Sequence, residues 1–161
     1  MLRATFAICI FSAAFGLASC STSHLVTAVK LSESQQTVNQ RELLIGNWVG
    51  EAPLRGGGSN AWITHLLADG TYKIDFKSID ASGDSSAHSE TGIWGVSGGI
   101  YFTAVRGFIV DGAAEPADTS DPALYDTYKI ISLSHDSFEY KSISTGDHFW
   151  SHRQPANNSF P

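Results

Sequence analysis

Thr71-Tyr72-Lys73-Ile74-Asp75-Phe76-Lys77-Ser78-Ile79 is the stretch that decides the fold. Tyr72, Ile74 and Phe76 alternate with Lys73, Asp75 and Lys77, so an extended backbone carries large apolar groups on one face and charges on the other. One face meets a core and the other meets water. Just upstream, Trp62 to Ala68 is a second apolar run, and it leads into Asp69-Gly70, a dipeptide that readily takes the positive φ angles of a tight hairpin. The two runs are therefore expected to pair antiparallel.

The same texture continues in both directions. Downstream it predicts strands over Glu90 to Val96, Ile100 to Val110, Leu124 to Leu133, Phe138 to Ile143 and Phe149 to Arg153. Turns are expected at Ser97-Gly98-Gly99, Ser134-His135-Asp136 and Thr145-Gly146-Asp147. Leu43 to Glu51 supplies one more strand at the front, which makes eight. Sequential antiparallel strands joined mostly by short turns remove their exposed edges by closing on themselves, so an all-β, eight-stranded antiparallel up-and-down barrel is expected over residues 41–155, with 156–161 as a tail. A sandwich is the alternative. Eight strands enclose an interior that side chains fill or that holds one small ligand.

The front of the chain has a different character. Arg3, an apolar run from Ala4 to Leu17 and small residues before Cys20 have the layout of a cleavable export signal over residues 1–19. Leu17-Ala18-Ser19-Cys20 resembles a lipobox. That resemblance implies that Cys20 carries diacylglycerol and an amide-linked acyl chain such as palmitate, and that it becomes the first residue of a lipoprotein anchored in a membrane. Ser21 stands where lipoproteins kept at the inner membrane commonly have Asp, so the resemblance implies the outer membrane, with the domain facing the periplasm. Residues 20–40 are rich in Ser, Thr and Gln and read as a flexible tether, with a root-mean-square reach of roughly 25 Å. A short helix over Ser32 to Leu44, capped by Ser32, is also compatible with this stretch.

Of the 161 residues only Cys9 and Cys20 are cysteines, so the part beyond the signal has no pair to oxidise. Cysteine nucleophiles, zinc knuckles and iron–sulfur sites are excluded with it. The formal charge of −6 and the scattering of the basic residues make nucleic acid a poor partner.

Gly46-Asn47-Trp48 in the first strand and Arg153 in the last resemble the G-x-W and the lone arginine of lipocalin-type barrels. The Leu66 to Tyr72 stretch, Gly92-Ile93-Trp94-Gly95, and Tyr128-Lys129-Ile130 with Leu133 are similar to small bacterial lipocalin-like domains. The resemblance covers about Glu42 to Arg153. It implies that Arg153 lies across the Trp48 ring and closes one end, and a guanidinium over an indole is a favourable contact. The strands are shorter than those of lipocalins and no disulfide is present.

A ligand inside such a barrel would meet Trp62, Tyr72, Phe76, Trp94, Phe102 and Tyr128, with Arg106 or His65 as polar anchor. Gly95-Val96-Ser97-Gly98-Gly99 matches the G-x-S-x-G of a hydrolase elbow, but a strand rather than a helix follows it, so a hairpin is expected and no catalytic set is assembled. Ser97-Gly98-x-x-Tyr101 resembles a motif of lysozyme-inhibitor barrels, whose second motif and cysteines are missing here. Six histidines invite a metal, yet His148 and His152 would stand about 13 Å apart along a strand, and His65 and His88 could meet only if both point inward. Neither a metal nor a cofactor is expected. Asp111, Glu115, Asp118, Asp121 and Asp126 make an acidic loop over 111–123 and just beyond, without the spacing of a calcium loop. The expected function is binding of a small apolar or amphiphilic ligand without catalysis. The alternative is an accessory or inhibitor module that contacts an envelope protein through the Ser97 turn or the 111–123 loop.

Replacing Cys20 by Ser is expected to abolish incorporation of labelled palmitate and to leave the protein in the soluble fraction when membranes are pelleted. Retained label in the variant would overturn the lipobox reading.

Overall fold

The computed structural model describes residues 35–110, 112–155 and 160. The signal, Cys20, the Ser32 cap, Asp111 and nearly all of the 156–161 tail lie outside the described residues. After a helical stretch over 35–44 come β1 (Gly46–Pro53), β2 (Gly58–Leu66), β3 (Thr71–Asp80), β4 (Ser85–Ser97), β5 (Ile100–Val110), β6 (Ala113–Pro116), β7 (Tyr125–Leu133), β8 (Ser137–Ser142) and β9 (His148–Gln154). The sheet runs β4-β3-β2-β1-β9-β8-β7-β5, and β4 also pairs with β5, so eight strands close into a ring. Every neighbour is antiparallel. The all-β antiparallel barrel is therefore the fold.

The strand left over, β6, shares one position of the ring with β7. β5 pairs with β6 through Gly107 to Val110 and with β7 through Ile100 to Ala104, on the same edge. Between them the chain leaves the sheet for a short 3-10 turn, Pro122–Leu124, whose first donor is taken by the Asp121 side chain. The acidic 111–123 stretch is thus strand in part and not a free loop.

Alternation places the expected faces. In β3, Tyr72, Ile74 and Phe76 point inward, opposite Gly92, Glu90 and His88 of β4. Ser97 pairs with Ile100, and Gly98 and Gly99 both have positive φ, +57° and +79°, which is the two-residue hairpin whose twist suits a strand pair. At the turn after β2, Gly70 has positive φ, and its N–H reaches the Leu67 carbonyl at 3.1 Å. That turn is one residue looser than the tight Asp69-Gly70 hairpin expected, because the Asp69 carboxylate is occupied with the Thr71 N–H and hydroxyl, at 2.8 and 2.7 Å.

One end of the ring is plugged. Leu44, Trp48, Leu66, Trp94, Tyr101 and Phe138 form a buried cluster there, and residues 35–44 lie over it. The tether boundary at residue 40 falls inside this helical stretch. Leu44 is fully buried, Arg41 donates to the Ala68 carbonyl at 2.9 Å, and Thr37 accepts from the Gly98 N–H at 3.4 Å. The Arg153 guanidinium lies 4.3 Å from the centre of the Trp48 ring. It donates to the carbonyls of Leu43, Ile45 and His135, while the Trp48 Nε1–H donates to the Leu44 carbonyl at 2.7 Å. A cation at the end of a helix, where carbonyls are left without partners, is well placed. Gly46 is glycine for the same reason: its φ is +132°, and a Cβ there would strike the Arg153 guanidinium.

Arg153→Met is expected to cost about 2–3 kcal/mol, since it strands carbonyls and removes the stack, and this appears as a lower urea midpoint. Gly46→Ala is expected to cost about 1–2 kcal/mol, and the double variant to cost less than the sum, because both changes disturb one contact. Full additivity would contradict the shared contact.

Candidate functional site

Above the plug the interior is not filled. A cavity of about 70 Å³ is lined by Thr64, Tyr72, Ile74, Phe76, Glu90, Tyr101, Thr103, Asp126, Tyr128 and Tyr140. Strand register brings these together: Ile74 stands opposite Glu90, Tyr101 opposite Tyr128, and Thr103 opposite Asp126. Three tyrosines pack edge to face or stacked, with Tyr101 to Tyr128 at 5.6 Å, Tyr101 to Tyr140 at 6.0 Å and Tyr128 to Tyr140 at 5.2 Å between ring centres. Phe76 stacks on His88 at 4.7 Å.

Two carboxyls face this space. Burial pushes the Glu90 carboxyl up from its ordinary value; His88, whose Nε2 is 3.7 Å from Glu90 Oε1, offsets part of that, and Asp126 adds to it. Burial also raises Asp126, with the Tyr128 hydroxyl as the offsetting influence. The same burial holds Tyr72, Tyr101 and Tyr128 well above the ordinary phenol value and Tyr140 at about 12. The tyrosines are therefore neutral hydroxyls at any physiological pH. Perturbed titratable groups converging on a cleft are a physical mark of a functional site.

The pocket residues named from the sequence are divided by the structure. Tyr72, Phe76 and Tyr128 line the cavity. Trp62 and Trp94 point inward but are committed elsewhere, the first donating to Ser151 Oγ at 3.3 Å and the second to the Leu67 carbonyl at 3.0 Å beneath the Arg41 guanidinium. Phe102 is a correction: it is 37 % exposed on the outer face and packs over Gly95, and Tyr101 holds the inward position. Arg106 is another. It sits at the β-bulge opposite Thr91 and Gly92, with its guanidinium 5.2 Å over the Tyr125 ring, and it does not line the cavity. Tyr101, Glu90 and Asp126 were the residues sequence reasoning passed over.

The other candidates have local partners. His65 is on the outer face, bonded to Asn47 at 2.7 Å and 3.6 Å from Asp75, so it does not meet His88 inside. His148 pairs with Glu139 at 2.9 Å and His135 with Asp136 at 2.6 Å. Among the described residues no group of three or more His, Cys, Asp or Glu side chains gathers in a way that could hold a metal ion. Ser97 ends β4 at the hairpin, with β5 and no helix behind it. A wider groove of about 630 Å³ lies outside the barrel between residues 35–43 and β7, but no titratable side chain lines it.

No protein-family model matches this sequence, and neither does any curated protein. Solved structures do match, among them a lipocalin-like protein from Bacteroides uniformis with 14 % identity and a TM-score of 0.41, over 70 % of this chain and 99 % of that one. The closed ring is established by the strand pairing of this chain itself.

Both interior carboxyls have a folded-state pKa above the unfolded one, so each adds stability that is full below the unfolded value and lost as pH rises through the folded value. Glu90→Gln and Asp126→Asn are therefore expected to raise the urea midpoint at pH 7, with the gain fading once pH falls below the ordinary carboxylate range. A lower midpoint at pH 7 in both variants would contradict the placement of these charges.

Proposed function

We propose that this chain is an envelope lipoprotein, anchored through lipid on Cys20 at the outer membrane and facing the periplasm, whose lipocalin-like barrel binds one small molecule in its interior without catalysis. The observation that carries the binding reading is the interior cavity: polar and aromatic side chains converge on it, while the Arg153–Trp48 plug closes the end beneath. The Gly46, Trp48 and Arg153 arrangement supports the lipocalin-like reading, and the lipobox residues support the anchor.

Size limits the ligand. Pockets for drug-sized molecules have roughly 300–1,000 Å³, whereas this cavity has about 70 Å³. An acyl chain does not fit whole; a small molecule does, or the polar end of an amphiphile whose remainder stays at the mouth. A protein partner at the Ser97 turn is less favoured, because the neighbouring Gly98 is already tied to Thr37.

Native mass spectrometry of the full chain, exposed to a mixture of small polar and amphiphilic molecules, tests the binding. A stoichiometric adduct is expected that Thr103→Phe, which fills the cavity, removes without unfolding the barrel. Clean apo mass in the parent chain, or an adduct indifferent to Thr103→Phe, would overturn interior binding.

A further inference from the structure

The basic residues are scattered along the chain, but strand register brings two of them together. Lys129 of β7 stands directly opposite Lys141 of β8, and both are exposed. Their neighbours Tyr128 and Ser142 take the inward positions, so the two lysines share the outer wall with Cβ atoms about 5 Å apart. Like charges placed directly opposite each other destabilise a sheet. Neither lysine makes an ion pair among the described residues. Most of the other cations are committed: Lys73 to Asp75, Arg55 to Asp147, and Arg41, Arg106 and Arg153 to aromatic rings. Lys77 is also unpaired among the described residues, but it stands alone across the ring, between Ala61 and Ala87.

A second, separate observation concerns the apolar side chains around this pair. On one side Phe102 stands opposite Thr127, whose carbonyl accepts from the Ile143 N–H at 3.0 Å. On the other side Lys141 stands opposite His148, whose ring packs against Trp150 with centres 4.1 Å apart. Phe102, Ile143 and Trp150 are 37, 57 and 53 % exposed, whereas Trp48, Trp62 and Trp94 are buried. Exposed apolar residues scattered singly are ordinary, but a contiguous group bordered by charge marks a surface that meets a partner.

We propose that this wall, the outer faces of β5, β7, β8 and β9, rests on an anionic phospholipid surface, with Phe102, Ile143 and Trp150 in the interfacial layer and Lys129 and Lys141 against the headgroup phosphates. Tryptophan is suited to that layer, since its ring is apolar and its N–H is wet. The wall of a closed barrel is convex, so it offers no recess for the anchoring side chain of a protein partner, and two exposed ammonium groups make no cradle for a free anion. A deformable surface that carries many phosphates over acyl chains matches both features. The proposal rests on the envelope reading in one respect: only fourteen residues stand between Cys20 and Gln35, so a lipid on Cys20 keeps a bilayer close to the barrel.

The overall charge of −6 opposes such a contact, but the acids are placed away from it. Asp69, Asp80, Asp118 and Asp121 hold turns with their side chains. Glu139, which does lie on this wall, is paired with His148 at 2.9 Å. Two lysines near an anionic leaflet strengthen binding by roughly thirtyfold.

The ring closes within residues 46–154, so the chain from Ser21 onward carries the whole barrel without signal or anchor. That chain is titrated at low salt with vesicles of phosphatidylcholine alone, with vesicles of equal parts phosphatidylcholine and phosphatidylglycerol, and with inorganic phosphate. Co-sedimentation and tryptophan emission are read. The expected result is sedimentation with the anionic vesicles only, reversed by high salt, and a blue shift in emission that Trp150→Phe removes. Lys129→Gln combined with Lys141→Gln is expected to weaken binding at least tenfold, while Lys73→Gln combined with Lys77→Gln, across the ring, changes it less than twofold. All variants are checked for an unchanged thermal transition. No binding to anionic vesicles, equal binding to both kinds, or equal losses in the two lysine pairs would overturn the proposal. So would a blue shift with inorganic phosphate alone, which would indicate a free-anion site, or a dimer by light scattering that hides Trp150. Because the anchor is absent from this chain, any of these failures leaves the Cys20 reading to its own palmitate test.

Discussion

The guanidinium of Arg153, laid across Trp48 and bonded to carbonyls of Leu43 and Ile45 before β1 and of His135 before β8, joins the two ends of the barrel at one point. β1 and β9 are the first and last strands, and their pairing, with Trp48 opposite Arg153, is the seam that turns an eight-strand sheet into a ring. Without that seam the sheet would have two open edges, each a row of unpaired backbone groups. The contact also fixes which end of the barrel is shut. Residues 35–44 are drawn onto that end by the Leu43 and Ile45 carbonyls and by the Arg41 guanidinium over Trp94, a second stack of the same kind.

Much of this fold was readable because period-two alternation survives in nearly every strand. Tyr72, Ile74 and Phe76 against Lys73, Asp75 and Lys77 leaves no doubt about the inward face of β3. β5 is different, because Tyr101 and Phe102 are adjacent aromatics and either could be taken as inward. The hairpin held the answer: once Gly98-Gly99 is a two-residue turn, Trp94 stands opposite Thr103 and Gly95 opposite Phe102. Trp94 and Phe102 cannot then share a face. The bulge near Thr91 and Gly92 shifts the phase again before Arg106, and no residue pattern announces it.

The two inward acids are legible only by counting. Glu90 lies at the inward parity of Trp94, and Asp126 at that of Tyr128, so counting in twos from either aromatic places both carboxyls inside. Asp126 also continues the acidic run before it, whose charge composition points to solvent. Its neighbours Asp118 and Asp121 do face outward, and each caps a turn with its side chain. The helical stretch at 35–44 was legible only as one option for a Ser- and Gln-rich segment. What orders it is tertiary, namely Leu44 in the core and Trp48 Nε1–H on its carbonyl.

A barrel sealed at one end, with charges kept inside it above the seal, gives up stability at neutral pH that an apolar filling would have retained. That concession is the physical reason for reading the interior as a site and not as a flaw in packing. The most direct measurement is side-chain carboxyl NMR of the full chain, following Glu90 and Asp126 as pH is varied. The account predicts that both titrate above their ordinary values in the free protein, because burial disfavours the charged form. Ordinary titration of both carboxyls would contradict it.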